Sequence, residues 1–381
     1  MAQSIKTKIL TILEVQKKKF TYKLKYLKLY RHYKSTTVKK YNKTRFLGAQ
    51  RLICYAPSKS LYFGFNGDVT ACCYNRSHVV GHYPENSIND IWEGSELNKL
   101  RTHIENEDFS LGCNYCKEQL TSLNFSSFLA LNFDYLPLSQ YPTLMEFELS
   151  TACNLECIMC TPTDIGKARN NPHMTSPYDD AFVEQLIPFI PHLYQAKFFG
   201  GEPLIIPVYY KIWEQIVALN PACLTLIQTN ATVLTDKAKA LFEQGFFEFS
   251  VSIDSFKKET YESIRKNANF GKTMENFEYL LNYCRRKRSY IGISVCPIQQ
   301  NRFELAEIVQ KANELNVKVN FNSVWYPESC TLWKWDADKL LETYDYLSSV
   351  PLTWETMVQK NNIKHFKDLL NQIYNWYLEL K

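Results

Sequence analysis

No apolar run in this 381-residue chain approaches the ~20 residues needed to cross a bilayer. The N-terminus also lacks a long apolar core followed by a small-residue cleavage site, which excludes a secretory signal and makes a cytoplasmic location the expectation. Twelve cysteines are too few for a secreted disulfide scaffold of this length, and in a reducing compartment clustered cysteines are more often metal ligands. The seven histidines are scattered, with no triad or metal spacing. Acidic residues are nearly missing from the first 51 positions, where 15 Lys and Arg face the single Glu14. The remainder holds 29 basic against 38 acidic residues, so the charge is strongly uneven. Within that basic arm Ile9, Leu13, Phe20, Leu24 and Leu27 recur at helical spacing, which predicts a basic amphipathic helix. Such a helix suits an anionic membrane surface, RNA or an acidic partner peptide, or packs on its own domain with its lysines in water.

What is present is a chain with 45% hydrophobic side chains, enough for a sizeable core and two domains. From Pro142 onward, β-rich runs alternate with helical patterns. The runs are 144–150, 196–201, 224–230, 247–254, 291–298 and 317–324, and "DKAKALFEQG" is one of the helical patterns between them. Strand, helix, strand repeated about six times predicts a parallel sheet with right-handed crossovers. Six units fall short of the eight that close a barrel, so the expected fold class is α/β with a partial (β/α)6 TIM-like barrel. Ligands in such sheets sit at the carboxyl ends of the strands.

The stretch "ELSTACNLECIMC" follows the first of these strands and places Cys153, Cys157 and Cys160 on one loop at that end. Soft thiolates select zinc or iron-sulfur clusters. A structural zinc wants a fourth protein ligand nearby, and the next His or Cys is His173, in another segment. Three thiolates with an open corner suit a four-iron cluster whose fourth iron binds a substrate or cofactor.

Cys-x3-Cys-x2-Cys after a first strand resembles the signature of the radical S-adenosylmethionine (SAM) superfamily. "GGEP", Gly200 to Pro203, resembles the family segment that binds the methionyl amino group of SAM, and Glu202 is expected to pair with that ammonium. "QTNAT" and "SVSID" stand where the family contacts the ribose, which implies Asn230, Ser252 and Asp254. Met159 matches the apolar position beside the adenine. The resemblance spans residues of about 142 to 330 and implies reductive cleavage of SAM to a 5′-deoxyadenosyl radical that abstracts a substrate hydrogen atom, fed by an electron donor such as flavodoxin or ferredoxin. Cys330, in "WYPESCTLWKW", is a candidate hydrogen-atom donor to a substrate radical, with an ordinary packed cysteine as the alternative. Arg265 is read as a ligand for a carboxylate or as a solvated helix arginine. Trp325, Trp333 and Trp335 are read as lining a substrate pocket or as packing for the C-terminal segment.

Upstream, Cys54, Gly67-x4-Cys72, a Trp-containing helix and Cys113-x2-Cys116 are similar to the auxiliary-cluster module called SPASM, or its shorter twitch form. The resemblance implies a second four-iron cluster on Cys54, Cys72, Cys113 and Cys116, with Cys73 as an alternative ligand. A structural zinc on the same thiolates is the competing reading. The module precedes the catalytic domain here, whereas it normally follows it. Cys223, Cys284, Cys296 and Cys330 lack cluster spacing, so one auxiliary cluster is expected. The expected organisation is a basic amphipathic arm over 1–51, a small cysteine-rich α+β auxiliary iron-sulfur domain over 52–135, the radical SAM partial barrel over 142–330 and a helical segment over 331–381.

Enzymes that join these two modules mostly modify peptides or proteins, which implies a ribosomally made peptide or protein substrate, matured by epimerisation, cross-linking or oxidation. An acidic leader on that peptide would match the basic arm. The alternatives are a radical dehydrogenase or epimerase of a sugar or aminocyclitol, and an RNA-modifying enzyme.

Overall fold

The structure is a computed structural model that describes residues 35–160 and 176–381, the side chain of Ser126 aside. The amphipathic helix expected around Ile9 to Leu27 lies outside the described residues. The chain divides into two compact units, one of residues up to Phe63 with Asp68–Glu146, the other of Gly64–Gly67 with Phe147–Lys381.

In the first unit β1 (Ser60–Phe63) pairs antiparallel with β2 (Asp68–Thr70), which pairs antiparallel with β3 (Gly81–His82). The helix Ile88–Glu93 starts where the Ser87 side chain accepts from Asp90 N, and it runs through Gly94 into the helix Ser95–Glu105. Leu97, Leu100 and Ile104 recur at three and four residues and are all buried. Residues 35–51 pack within this unit too: Val38 and Tyr41 are buried, and Arg45 forks onto Asp134 with both groups out of water. A helix Asn114–Thr121 follows.

β4 (Leu144–Phe147) leads into the second unit. A two-residue strand β5 (Glu156–Cys157) comes next, then β6 (Gln195–Phe198), β7 (Leu224–Thr229), β8 (Phe246–Ser252), the short β9 (Arg265–Lys266), β10 (Ile291–Val295) and β11 (Lys318–Phe321). The main sheet runs β4-β6-β7-β8-β10-β11, and the pairs from β6 to β11 are parallel. Helices Pro207–Leu219, Asp236–Gln244, Phe270–Lys287 and Leu305–Leu315 make the crossovers. This is the expected α/β partial barrel, with the six strands where the β-rich runs stand.

The register explains why the sheet has two unlike faces. Phe198, Ile227, Phe249 and Ile291 align across β6, β7, β8 and β10, and Thr229, Val251, Ile293 and Val319 form the next row on that face. Phe242 and Trp213 from the crossover helices pack on it, with Phe242 5.0 Å from Phe249 and 4.8 Å from Phe247 between ring centroids. Each buried aromatic of this kind contributes roughly 1.5–3 kcal/mol. The opposite face is polar: Lys197 aligns with Leu226 and Glu248, then Gln228 with Ser250, Gly292 and Lys318, then Ser252 with Ser294 and Asn320. The alternation in "FEFSVS" is the cause. The last two helices are Ala337–Ser349 and Met357–Glu379, the latter begun by a capping box of Thr356 and Gln359. Among the described residues no helix is long and apolar enough to cross a membrane.

Candidate active site

The loop after β4 holds Cys153, Cys157 and Cys160, each half-buried. Its middle is fixed by a two-stranded ribbon in which β5 pairs antiparallel with β9, Glu156 opposite Lys266 and Cys157 opposite Arg265. Ile158 N donates to Ile264 O at 3.0 Å, and Cys160 N donates to Cys157 O at 3.0 Å, turning the third thiol back beside the second. Leu155 N points at Cys153 Sγ at 3.4 Å, and the Asn230 amide approaches the same sulfur at 3.8 Å. Donors aimed at sulfur are what a thiolate needs once its proton leaves. Tyr209 closes the support: its hydroxyl accepts from Leu149 N at 2.8 Å and contacts Phe147 O and Phe199 O, tying the ends of β4 and β6 together.

"GGEP" sits against this loop. Gly200 has φ +110°, and a Cβ there would lie 2.3 Å from Ser150 O; at Gly201 it would lie 1.9 Å from Ala152 O. Only glycine allows the approach that lets Gly201 N and Glu202 N donate to Ser150 O and Ala152 O. Glu202 is held by the loops around it. Its carboxyl is fully buried and accepts from Thr229 Oγ1 at 2.6 Å, Asn230 N at 2.7 Å and Leu204 N at 3.1 Å, so both oxygens are engaged by the loops. Burial pushes this carboxyl up to about 7, against the pull of those three donors.

Asp254 is a second buried carboxyl. It is ion-paired with Arg265 at 2.7 Å and accepts from Cys296 N at 2.7 Å. Asn230 shares its side chain with Asn154 and Thr232. Ser252 lies on the polar face of β8 and is half-buried. Met159 packs with Ile158 against Ile264, Ile298 and Cys330. Cys330 is accordingly not at an open rim: it is 1% exposed, its thiol contacts Pro327 O at 3.4 Å, and burial pushes it up to about 11. Arg265 is neither solvated nor open to a ligand carboxylate, being buried against Asp254 and Cys157. Trp325, Trp333 and Trp376 pack edge to face at 5.2 and 6.0 Å, which is packing of the C-terminal helix. Thr229, Tyr209 and the Arg265–Asp254 pair carry no spacing signal in the sequence, because each reaches partners at least ten positions away along the chain.

In the first unit Cys54, Cys72, Cys113 and Cys116 line one cavity, with Ala56 N 3.4 Å from Cys54 Sγ and the Asn75 amide 3.4 Å from Cys113 Sγ. Cys73 lies outside it, its N and Sγ turned to Glu146 at 3.4 and 3.8 Å. Burial pushes the Cys72 and Cys113 thiols up to about 12, so occupancy by a metal centre has to displace their protons. Among the described residues no three His, Cys, Asp or Glu side chains stand close enough for a single-ion site. The four thiols share a cavity without converging on one point.

Residues 147–324 match the pattern described as the Radical SAM superfamily, and residues 54–117 match SPASM, described as an iron-sulfur cluster-binding domain. Residues 147–324 form a radical SAM domain. With the SPASM-type module beside it, this domain brings SAM and four-iron four-sulfur clusters as cofactors. N–H donors aimed at the sulfurs of Cys153, Cys54 and Cys113 suit thiolate-held clusters. Curated relatives include a GTP 3′,8-cyclase of Limosilactobacillus fermentum, 26% identical over 187 residues, covering 48% of this chain and 55% of that one. The GTP 3′,8-cyclase of Clostridium botulinum strain Okra is 25% identical over 138 residues, 36% of this chain and 43% of that one. The chain thus spans about half or less of the length of these relatives. Solved structures with a likeness are anSMEcpe with bound AdoMet (TM-score 0.41, 17% identity, 60% of this chain and 62% of that one) and Streptococcus suis SuiB bound to its precursor peptide SuiA (TM-score 0.41, 15% identity, 70% and 53%).

Proposed function

We propose that Cys153, Cys157 and Cys160 hold the SAM-binding cluster, that Cys54, Cys72, Cys113 and Cys116 hold a second cluster, and that the substrate is a peptide or protein. When bound, the first cluster and SAM supply a reductively generated 5′-deoxyadenosyl radical that takes a hydrogen atom from the substrate. The chain's own part is to hold the three thiolates on a loop clamped by β9 and by Gly200–Gly201, with Asn230 and Ser252 as the residues that would meet the ribose of SAM. Cys72 rather than Cys73 is the auxiliary ligand in this reading, because it lines the cavity.

The observation that carries the substrate reading is the polar face of the sheet. Gln228, Ser250, Ser252, Ser294, Asn320 and Asn322 supply uncharged amides and hydroxyls, and Asn322 donates to Ser294 at 3.0 Å. Such groups match the alternating donors and acceptors of a peptide backbone. The SPASM-type module supports the same reading, since its enzymes mostly act on peptides and proteins. A second reading follows from the GTP 3′,8-cyclases: a purine nucleotide substrate. A triphosphate wants several clustered cations, whereas this face offers Lys197, set against Glu248, and Lys318. The test is 5′-deoxyadenosine formation by reconstituted protein under a strong reductant, with a panel of polar peptides or with GTP. Stimulation by peptide is expected; stimulation by GTP alone overturns the substrate reading.

A further inference from the structure

Arg265 is 7% exposed and Asp254 fully buried, and their Nη2–Oδ2 distance is 2.7 Å. The other terminal nitrogen, Nη1, lies 3.8 Å from Cys157 Sγ. This contact follows from the fold: Cys157 and Arg265 are register partners in the β5–β9 ribbon, which also joins Ile158 N to Ile264 O. Asp254 is itself fixed, accepting from Cys296 N at 2.7 Å through its side chain and from the Asn301 amide at 2.9 Å through its carbonyl. The guanidinium Nε is buried without a hydrogen-bond partner, so the cation is neutralised by Asp254 on one side and faces a sulfur on the other. A buried arginine held in this manner, with Cys157 set by strand pairing and Asp254 fixed by Cys296 N and Asn301, is a built arrangement rather than a solvated side chain.

We propose that Arg265 is a positioning residue for the SAM-binding cluster: it donates a hydrogen bond to the Cys157 sulfur, orients that ligand and raises the cluster's reduction potential. The inference rests on Cys157 being a cluster ligand. The physical reason is charge. Accepting one electron from an external one-electron reductant makes the cluster more negative, and a cation or a hydrogen bond at a ligand sulfur stabilises the reduced form. Asp254 tempers the effect and keeps the arginine from being a lone buried charge.

The experiment is a redox titration with dithionite, followed by electron paramagnetic resonance on full-length protein. The signal that changes on adding SAM reports the cluster with the open iron. In Arg265→Gln/Asp254→Asn, which keeps polar atoms and removes both charges, the oxidised-to-reduced ratio at the wild-type midpoint should rise about tenfold, a shift of roughly 59 mV to the negative for one electron. Asp254→Asn alone leaves the cation uncompensated and should move the midpoint the other way, and Arg265→Lys should stay close to wild type. Full iron loading with unchanged midpoints in the first two variants overturns the proposal and leaves Arg265 as a folding residue. Cys157→Ala separates the two claims. Loss of its SAM-responsive signal upholds the ligand assignment whatever the arginine variants do, and survival of that signal removes the ligand and this inference together.

Discussion

Glu202→Ala gives the sharpest test of how the site is held. The substitution strands three donors in a buried place: the Thr229 hydroxyl and the Asn230 and Leu204 amides. At roughly 2 kcal/mol for each stranded donor the loss is about 6 kcal/mol. Against this stands the cost of burying a carboxylate whose folded value is raised to about 7 from 4.5, which removes about 3 kcal/mol once the group is ionised. The net destabilisation at pH 8 is therefore about 3 kcal/mol. Because the folded value is the higher one, the stability that Glu202 contributes is full below about pH 4.5 and falls as pH rises through 7. Urea unfolding of Glu202→Ala at pH 6 and pH 8 should accordingly show the larger loss at pH 6. A loss below about 0.5 kcal/mol at both, together with a large drop in SAM affinity, would refute the bracing role and restore Glu202 as a ligand contact.

Further outcomes follow from the same geometry. Alanine at Cys153, Cys157 or Cys160 should abolish 5′-deoxyadenosine formation while about four irons per chain remain, read by iron assay and product chromatography. Cys72→Ala should lose the second cluster and Cys73→Ala should retain it, since Cys73 faces Glu146; equal iron loss in both variants contradicts the assignment. Phe242→Ala removes the ring that meets Phe247 and Phe249, and should cost about 3–5 kcal/mol in thermal or urea unfolding.

The strands and crossovers were legible because their signals are local. "FEFSVS" alternates apolar and polar residues, and the structure turns that into one aromatic face and one polar face. The cysteine loop was legible for the same reason, a spacing within eight residues of sequence. What residues do within a segment was less legible. "GGEP" is recognisable, but that its glycines press on Ser150 and Ala152, and that Glu202 serves Thr229 and Asn230, depends on β6 lying between β4 and β7. Arg265 resembled a solvated helix residue, because nothing nearby in sequence shows that it ends a helix and enters a ribbon opposite Cys157. Cys330 follows the sixth strand, as a rim residue would, yet its loop folds it inward beneath Met159.

The central claim is that this chain holds two iron-sulfur clusters, one on each thiolate site. Iron and zinc per chain, measured on anaerobically purified and reconstituted full-length protein, test it most directly. The account predicts about eight irons and no zinc; about four irons with about one zinc would contradict it, leaving a lone catalytic cluster beside a structural metal staple.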